Sequence, residues 1–176
     1  MSETRSTSRS AYSRWWWERP RLSLRGTCVA GTSGIVKTSL DTNILVTLWQ
    51  GQPGALALTD LLLKLQLDGP MVVCAPVWVE LCGLPGLRPS EVSRLLGELD
   101  VEVEFEIRQM VWERAATAYA AYTRRRREAG GGVPRRLMAD FVIGAHGVTA
   151  CHRLVTADSA FYRRCFPQLK VVPPPD

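Results

Sequence analysis

Apolar residues along this chain fall into two alternating patterns: short runs closed by an acid or a turn residue, and longer stretches with apolar side chains three and four residues apart. The first pattern reads as buried strand and the second as amphipathic helix. Gly34 to Leu40 reads as a strand ending at Asp41, and Ile44, Leu45, Leu48 and Trp49 then recur at helical spacing. The leucine-rich stretch from Ala55 to Leu67 predicts a second helix, closed by Asp68-Gly69-Pro70. Met71 to Cys74 is a short apolar run bounded by turn residues, hence a buried strand. Pro76 suits the first turn of a helix running to Cys82.

Beyond Gly83 to Pro85, a helix starts near Pro89-Ser90 with Val92, Leu95, Leu96 and Leu99 on one face. Val101 to Phe105 alternates with period two, the mark of a strand with one wetter face. A long helix follows, carrying Ile107, Met110, Val111, Ala115, Ala118, Tyr119 and Tyr122, and ends in an arginine run and Gly130-Gly131-Gly132. Ala139 to Cys151 predicts another helix, Leu154 to Thr156 a strand ending at Asp158, and Leu169 to Val172 a last strand. Strands separated by helical segments require right-handed crossovers, so the expected class is α/β, with a mainly parallel sheet of four to five strands between helical layers.

Composition narrows this without redirecting it. The 176 residues, 46% apolar and 22% charged, match one ordinary globular domain rather than a disordered or fibrous chain. The longest apolar run, Met71 to Val79, contains Pro76 and is far short of the roughly 20 residues that span a bilayer. The N-terminus lacks the apolar core of a secretory signal, so the expected location is the cytoplasm. Cys28, Cys74, Cys82, Cys151 and Cys165 form an odd set without C-x-x-C spacing, which argues for reduced thiols over disulfides or a zinc site.

The net charge of +5 lies wholly in residues 1–40, which hold seven basic and two acidic side chains; the remainder is balanced. Residues 1–34 show neither helical nor strand periodicity and read as a basic, disordered extension, the domain proper covering 35–174. Trp15, Trp16 and Trp17 beside arginines could stack on single-stranded nucleic acid, but a disordered extension is the favoured reading. Within the body, Arg124, Arg125, Arg126, Arg127, Arg135 and Arg136 surround the glycine loop. A solvated helix end explains some of them, and phosphate binding is the other reading.

The chemically informative residues are acids in apolar surroundings. Glu80 lies in Val77-Trp78-Val79-Glu80-Leu81-Cys82, and Asp140 in Ala139-Asp140-Phe141-Val142-Ile143. Asp41 and Asp158 each follow an apolar strand, at the sheet edge where open parallel sheets bind ligands. Singly, these acids could be helix caps, an Asx turn or the partner of a buried arginine. Together, two acids at strand C-termini and two at the starts of helices can converge on one cleft with no accompanying lysine, and a divalent cation is the natural counter-charge. An all-oxygen donor set favours Mg²⁺ or Mn²⁺ over Zn²⁺, and such ions act on phosphate oxygens, which implies phosphodiester hydrolysis. His146 lies six residues after Asp140, about 240° round a helix, and His152 sits near a helix end; both are expected to be structural.

Four segments, Ser39-Leu40-Asp41-Thr42-Asn43-Ile44-Leu45, Pro76-Val77-Trp78-Val79-Glu80-Leu81, Ala139-Asp140-Phe141-Val142-Ile143-Gly144-Ala145-His146 and Leu154-Val155-Thr156-Ala157-Asp158, resemble in order and spacing the PIN-domain ribonucleases. The likeness is closest to the VapC toxins of bacterial toxin–antitoxin pairs, and Phe161 to Val172 fits as well. The resemblance implies a three-layer PIN-like fold in which Asp41, Glu80, Asp140 and Asp158 hold Mg²⁺ or Mn²⁺, with Asn43 and Thr156 orienting carboxylates or water. It further implies endoribonuclease activity, a homodimer and a VapB-like antitoxin. The arginines from Arg124 to Arg136 would then contact RNA or antitoxin. Competing readings are a PIN nuclease of RNA maturation or decay, and a non-catalytic RNA- or protein-binding PIN module. A receiver domain is disfavoured by the missing lysine.

Overall fold

The computed structural model describes residues 34–131 and 136–175. The proposed basic extension, with Trp15 to Trp17 and Cys28, and Arg135 in the glycine loop lie outside them. Five strands, β1 (Thr38–Leu40), β2 (Met71–Cys74), β3 (Val101–Glu104), β4 (Arg153–Val155) and β5 (Val171–Val172), form one sheet in the order β3-β2-β1-β4-β5. Every pairing is parallel, with Thr38 opposite Met71 and Arg153, and Cys74 opposite Glu104. Seven helices connect them among the described residues: α1 (Thr42–Trp49), α2 (Ala55–Asp68), α3 (Ala75–Cys82), α4 (Pro89–Glu98), α5 (Gln109–Glu128), α6 (Met138–Ala150) and α7 (Ser159–Cys165).

The chain moves from β1 outward to β3, then crosses back over the sheet to β4 and on to β5. With right-handed crossovers this reversal puts α1 to α4 on one face and α5 to α7 on the other. The three-layer expectation therefore holds, and the sheet is wholly parallel. Because both faces are covered, the central strands are buried throughout rather than alternating: Thr38, Ser39 and Leu40 of β1 and Met71, Val72, Val73 and Cys74 of β2 are all buried. Only the edge strand β3 alternates, with Glu102 exposed between Val101 and Val103.

The two faces of β1 divide the core. Arg153, buried and paired in register with Thr38, donates to Thr38 Oγ1 at 2.8 Å, Asp68 at 2.8 Å and the Leu65 carbonyl at 3.1 Å, locking α2 to the sheet. On the other face, Phe141 of α6 meets Tyr119 and Tyr122 of α5 and Phe161 of α7, with ring centroids 5.1–5.4 Å apart. Gly144 allows α6 to approach Phe166 closely; a Cβ there would stand 2.2 Å from the Phe166 ring.

Two elements differ from the sequence expectation. β1 is shorter than Gly34–Leu40, because Val36 bonds to Asp68 and Thr38 to Pro70 outside the regular ladder. Helix α7 was not anticipated, since its seven residues give too few turns for a periodic signal.

Candidate active site

The strand order reverses direction between β1 and β4, and in open α/β sheets the crevice above such a reversal is the ligand site. Asp41 leaves β1 at that point as the N-cap of α1, and its backbone N–H bonds to the Val155 carbonyl at 3.0 Å. The carboxylate is 5% exposed and fully engaged. Oδ1 accepts from Thr42 N–H at 2.8 Å, and Oδ2 accepts from Asn43 Nδ2 at 2.7 Å and from the Thr156 hydroxyl at 2.6 Å. Burial pushes Asp41 above the ordinary carboxylate range, against the pull of Thr156, Thr42 and Asn43.

Thr156, itself 0% exposed, organises the β4 side. Its oxygen receives Asn43 Nδ2 at 3.3 Å and Asp158 N–H at 3.0 Å, while Asn43 Oδ1 accepts from Ala157 N–H at 3.0 Å. Asp158 caps α7, so it stands at the same rim. Glu80 comes from α3, the helix that follows β2, and accepts the Thr42 hydroxyl in a short hydrogen bond. Asp140 lies in the first turn of α6 and accepts Leu137 N–H at 3.1 Å.

The four acids therefore come from four elements to one edge. Burial raises Glu80, and the charges of Asp140 and Asp41 raise it further. Burial likewise raises Asp140, partly countered by Arg136 and reinforced by Asp41 and Asp158. Among the described residues the one ion pair made by any of the four is Arg136 to Asp158, so Asp41, Glu80 and Asp140 have no direct cationic partner. This is an all-carboxylate donor set under mutual repulsion, the chemistry that fits a hard divalent cation. No three of the four offer oxygens within 4.8 Å of one another.

Residues 39–167 match the PIN domain family. The chain belongs to that family. No curated protein sequence matches it. Solved structures of similar fold include VapBC2 from Rickettsia felis, bound to a DNA fragment from their promoter, at 17% identity and TM-score 0.53, covering 78% of this chain and 98% of that one. VapBC-1 from nontypeable Haemophilus influenzae gives 16% identity and TM-score 0.54, covering 78% and 97%.

Three residues of this PIN domain site were not assigned to it from sequence. Thr42 holds Glu80, and its place inside Asp41-Thr42-Asn43 was the available signal. Tyr162 lies four residues after Asp158, hence on the same helix face; its buried hydroxyl is pushed above the ordinary phenol range by burial and by the charges of Asp41 and Asp140. Arg136 was placed with the arginine patch, yet its guanidinium turns into the acidic site and packs 4.4 Å over the Phe161 ring. The basic residue beside the acids is thus an arginine, a partner that was not evident from the sequence.

Among the described residues, none of the other patch arginines forms an ion pair with the four acids. Arg124, Arg125, Arg126 and Arg127 close α5, where the helix dipole favours them. Arg125 reaches Cys165 Sγ at 3.9 Å, and the charges of Arg125, Arg164 and Arg136 all act on that thiol, so α5 and α7 share a basic surface beside the site.

His146 is structural, as expected. It is buried on the far side of α6 from Asp140, with Nε2 2.6 Å from Glu104 and Nδ1 3.5 Å from Ser39 Oγ and 3.8 Å from Cys151 Sγ. Glu104, His146 and Cys151 do bring ligand atoms within 4.8 Å. However, Lys37 pairs with Glu104 at 2.5 Å, burial pushes the Cys151 thiol up to about 12, and opposite ring nitrogens face the carboxylate and the thiol. That arrangement ties β3 to α6 and leaves little room for a cation. His152 accepts Lys37 N–H at 3.0 Å and holds the start of β1.

Proposed function

We propose that the protein is a Mg²⁺- or Mn²⁺-dependent endoribonuclease acting as the toxin of a VapBC-type pair. The observation that carries this reading is the convergence of Asp41, Glu80, Asp140 and Asp158 at the strand-order reversal of a PIN sheet, with Asp41 raised by burial and Glu80 and Asp140 raised by burial and by the charges of their acidic neighbours. Those four residues would hold the cation. When bound, such an ion neutralises the carboxylates, polarises a phosphate oxygen and makes a water molecule nucleophilic near neutral pH.

The chain's own contribution is preorganisation. Thr156, Asn43 and Thr42 N–H fix both oxygens of Asp41, so that the carboxylate cannot rotate away. The Thr42 hydroxyl fixes Glu80, and Leu137 N–H fixes Asp140. Burial of Asp41 lowers the local dielectric, which strengthens its attraction for a cation. The arginines ending α5, with Arg163 and Arg164 on α7, supply positive charge for an RNA backbone approaching the acids. The VapBC neighbours support a VapB-like antitoxin as partner, and a homodimer acting in the cytoplasm belongs to the same reading. Among the described residues no helix is long and apolar enough to cross a membrane.

The test is cleavage of a defined RNA pool by purified protein with Mn²⁺, beside Asp41→Asn and Asp140→Asn. Cleavage by the wild type that is lost in both variants and in excess chelator supports the proposal. A folded wild type that leaves every RNA intact with saturating Mn²⁺ refutes the nuclease. Co-expression with the product of a neighbouring small reading frame tests the toxin: rescue of growth supports it, and normal growth of cells expressing the protein alone refutes it.

A further inference from the structure

Arg136 carries a role that neither capping nor RNA contact explains. It is four residues before Asp140 on the segment entering α6, outside the helix, so no intrahelical hydrogen bond requires it there. Its guanidinium forms a direct ion pair with Asp158 and stacks on Phe161 of α7 with Cζ 4.4 Å from the ring centroid. The Arg136 side chain is 36% exposed and that of Asp158 31%, so the pair sits at the mouth of the cleft rather than in open solvent. The same positive charge reaches Asp140, on which it is the foremost influence opposing burial. One monovalent cation thus serves two of the four acids.

We propose that Arg136 is the resident counter-ion of the acidic cleft and competes with the divalent cation for it, so that metal loading displaces the guanidinium from Asp158. This rests on the metal-nuclease reading above. The physical basis is that a guanidinium has five donors and no acceptor, stays protonated at any working pH, and prefers the two-oxygen edge of a carboxylate. It cannot hold Asp158 while a second, doubly charged cation takes the same oxygens, because the like charges would repel at contact distance. In the metal-free protein the arginine relieves repulsion among the acids; in the loaded protein it must turn outward, toward the basic surface formed with Arg125 and Arg164. The loop position of Arg136 allows that movement without unwinding α6.

The experiment measures Mn²⁺ binding to RNA-free protein by the electron paramagnetic resonance signal of the free ion, at one pH and ionic strength, with melting temperature recorded with and without Mn²⁺. Four proteins are compared: wild type, Arg136→Gln, Arg136→Lys and Arg164→Gln. Arg136→Gln is expected to bind Mn²⁺ about tenfold more tightly, to melt lower without metal and to gain more from it. Arg136→Lys should fall between, since it keeps the charge and loses the fork and ring contact. Arg164→Gln removes an equal charge from a residue that pairs with none of the acids, and should shift affinity less than about threefold. The inference is overturned if Arg136→Gln binds Mn²⁺ no more tightly than wild type, or if Arg164→Gln tightens binding as much. Binding of Mn²⁺ by none of the four proteins would overturn the metal-nuclease reading itself, and the inference with it.

Discussion

Replacing Thr156 by Val tests how the fold holds its most buried acid. Valine keeps the shape of threonine at a position that is 0% exposed, so packing is preserved and the hydroxyl alone is lost. That hydroxyl donates to Asp41 Oδ2 at 2.6 Å and accepts from Asp158 N–H at 3.0 Å. A hydrogen bond to a charged group contributes about 1.5–3 kcal/mol, and an abandoned buried donor costs about 1–3 kcal/mol, the lower end applying to the part-buried Asp158 amide. The expected loss with Asp41 ionised is therefore about 3 kcal/mol, a melting shift of roughly 6–12 °C for a chain of this size. With Asp41 protonated the lost bond is a neutral one, and with the amide's share unchanged the cost falls to about 2 kcal/mol.

The sign with pH follows. Asp41 is raised above its unfolded value, so its unfavourable charge is absent below the unfolded value and stability is lost as pH rises through the folded one. Without Thr156, the strongest influence opposing burial, the folded value rises further and the loss extends to higher pH. Urea denaturation of wild type, Thr156→Val and Thr156→Ser at pH 4.5 and pH 8 measures this. Thr156→Val should lose more at pH 8 than at pH 4.5, and Thr156→Ser should lose only about 1 kcal/mol for its missing methyl group at either pH. A Thr156→Val loss that is the same at both pH values, or no loss at all, refutes the reasoning.

Other perturbations have equally definite outcomes. Gly144→Ala places a methyl group 2.2 Å from the buried Phe166 ring and should cost about 3 kcal/mol in urea denaturation, with α7 losing hydrogen-exchange protection first. Arg153→Met removes two buried hydrogen bonds and a part-buried one to an Asp68 that is half exposed, so the loss should be about 2 kcal/mol rather than the 3–5 kcal/mol of a fully buried pair. Burial holds His146 below the ordinary imidazole range despite Glu104, so the unfolded chain takes up its proton first and stability falls as pH drops below about 6.5. Comparing denaturation midpoints of wild type and His146→Gln between pH 7.5 and 5.5 should show that part of the slope vanish in the variant.

The strand and helix order was legible because both faces of the sheet are covered, which makes β2 a buried apolar run and ends β1 and β4 on apolar residues followed by a polar one. Asp41 and Asp158 stood out for that reason, and Glu80 and Asp140 because they interrupt apolar helix faces. The helical phase also placed His146 away from Asp140, where it meets Glu104. What pattern alone did not reveal depends on contacts distant in sequence. Arg136 lies 22 residues from Asp158, beyond a glycine loop without periodicity, and its ion pair exists only once α6 and α7 are docked. Glu104 read as the wetter face of an edge strand, but α6 covers that end of β3 and Lys37 and His146 bind its two oxygens. The shortening of β1 likewise follows from where α2 ends, since Asp68 takes the Val36 amide.

The central claim is that these acids form one divalent-cation site. Crystals soaked in Mn²⁺ and measured at the manganese absorption edge test it most directly. An anomalous peak is expected at Asp41 and at least one of Glu80, Asp140 and Asp158, and it should disappear in Asp41→Asn. A peak only at Glu104, His146 and Cys151, or no peak from crystals of protein that cleaves RNA with Mn²⁺, would contradict it.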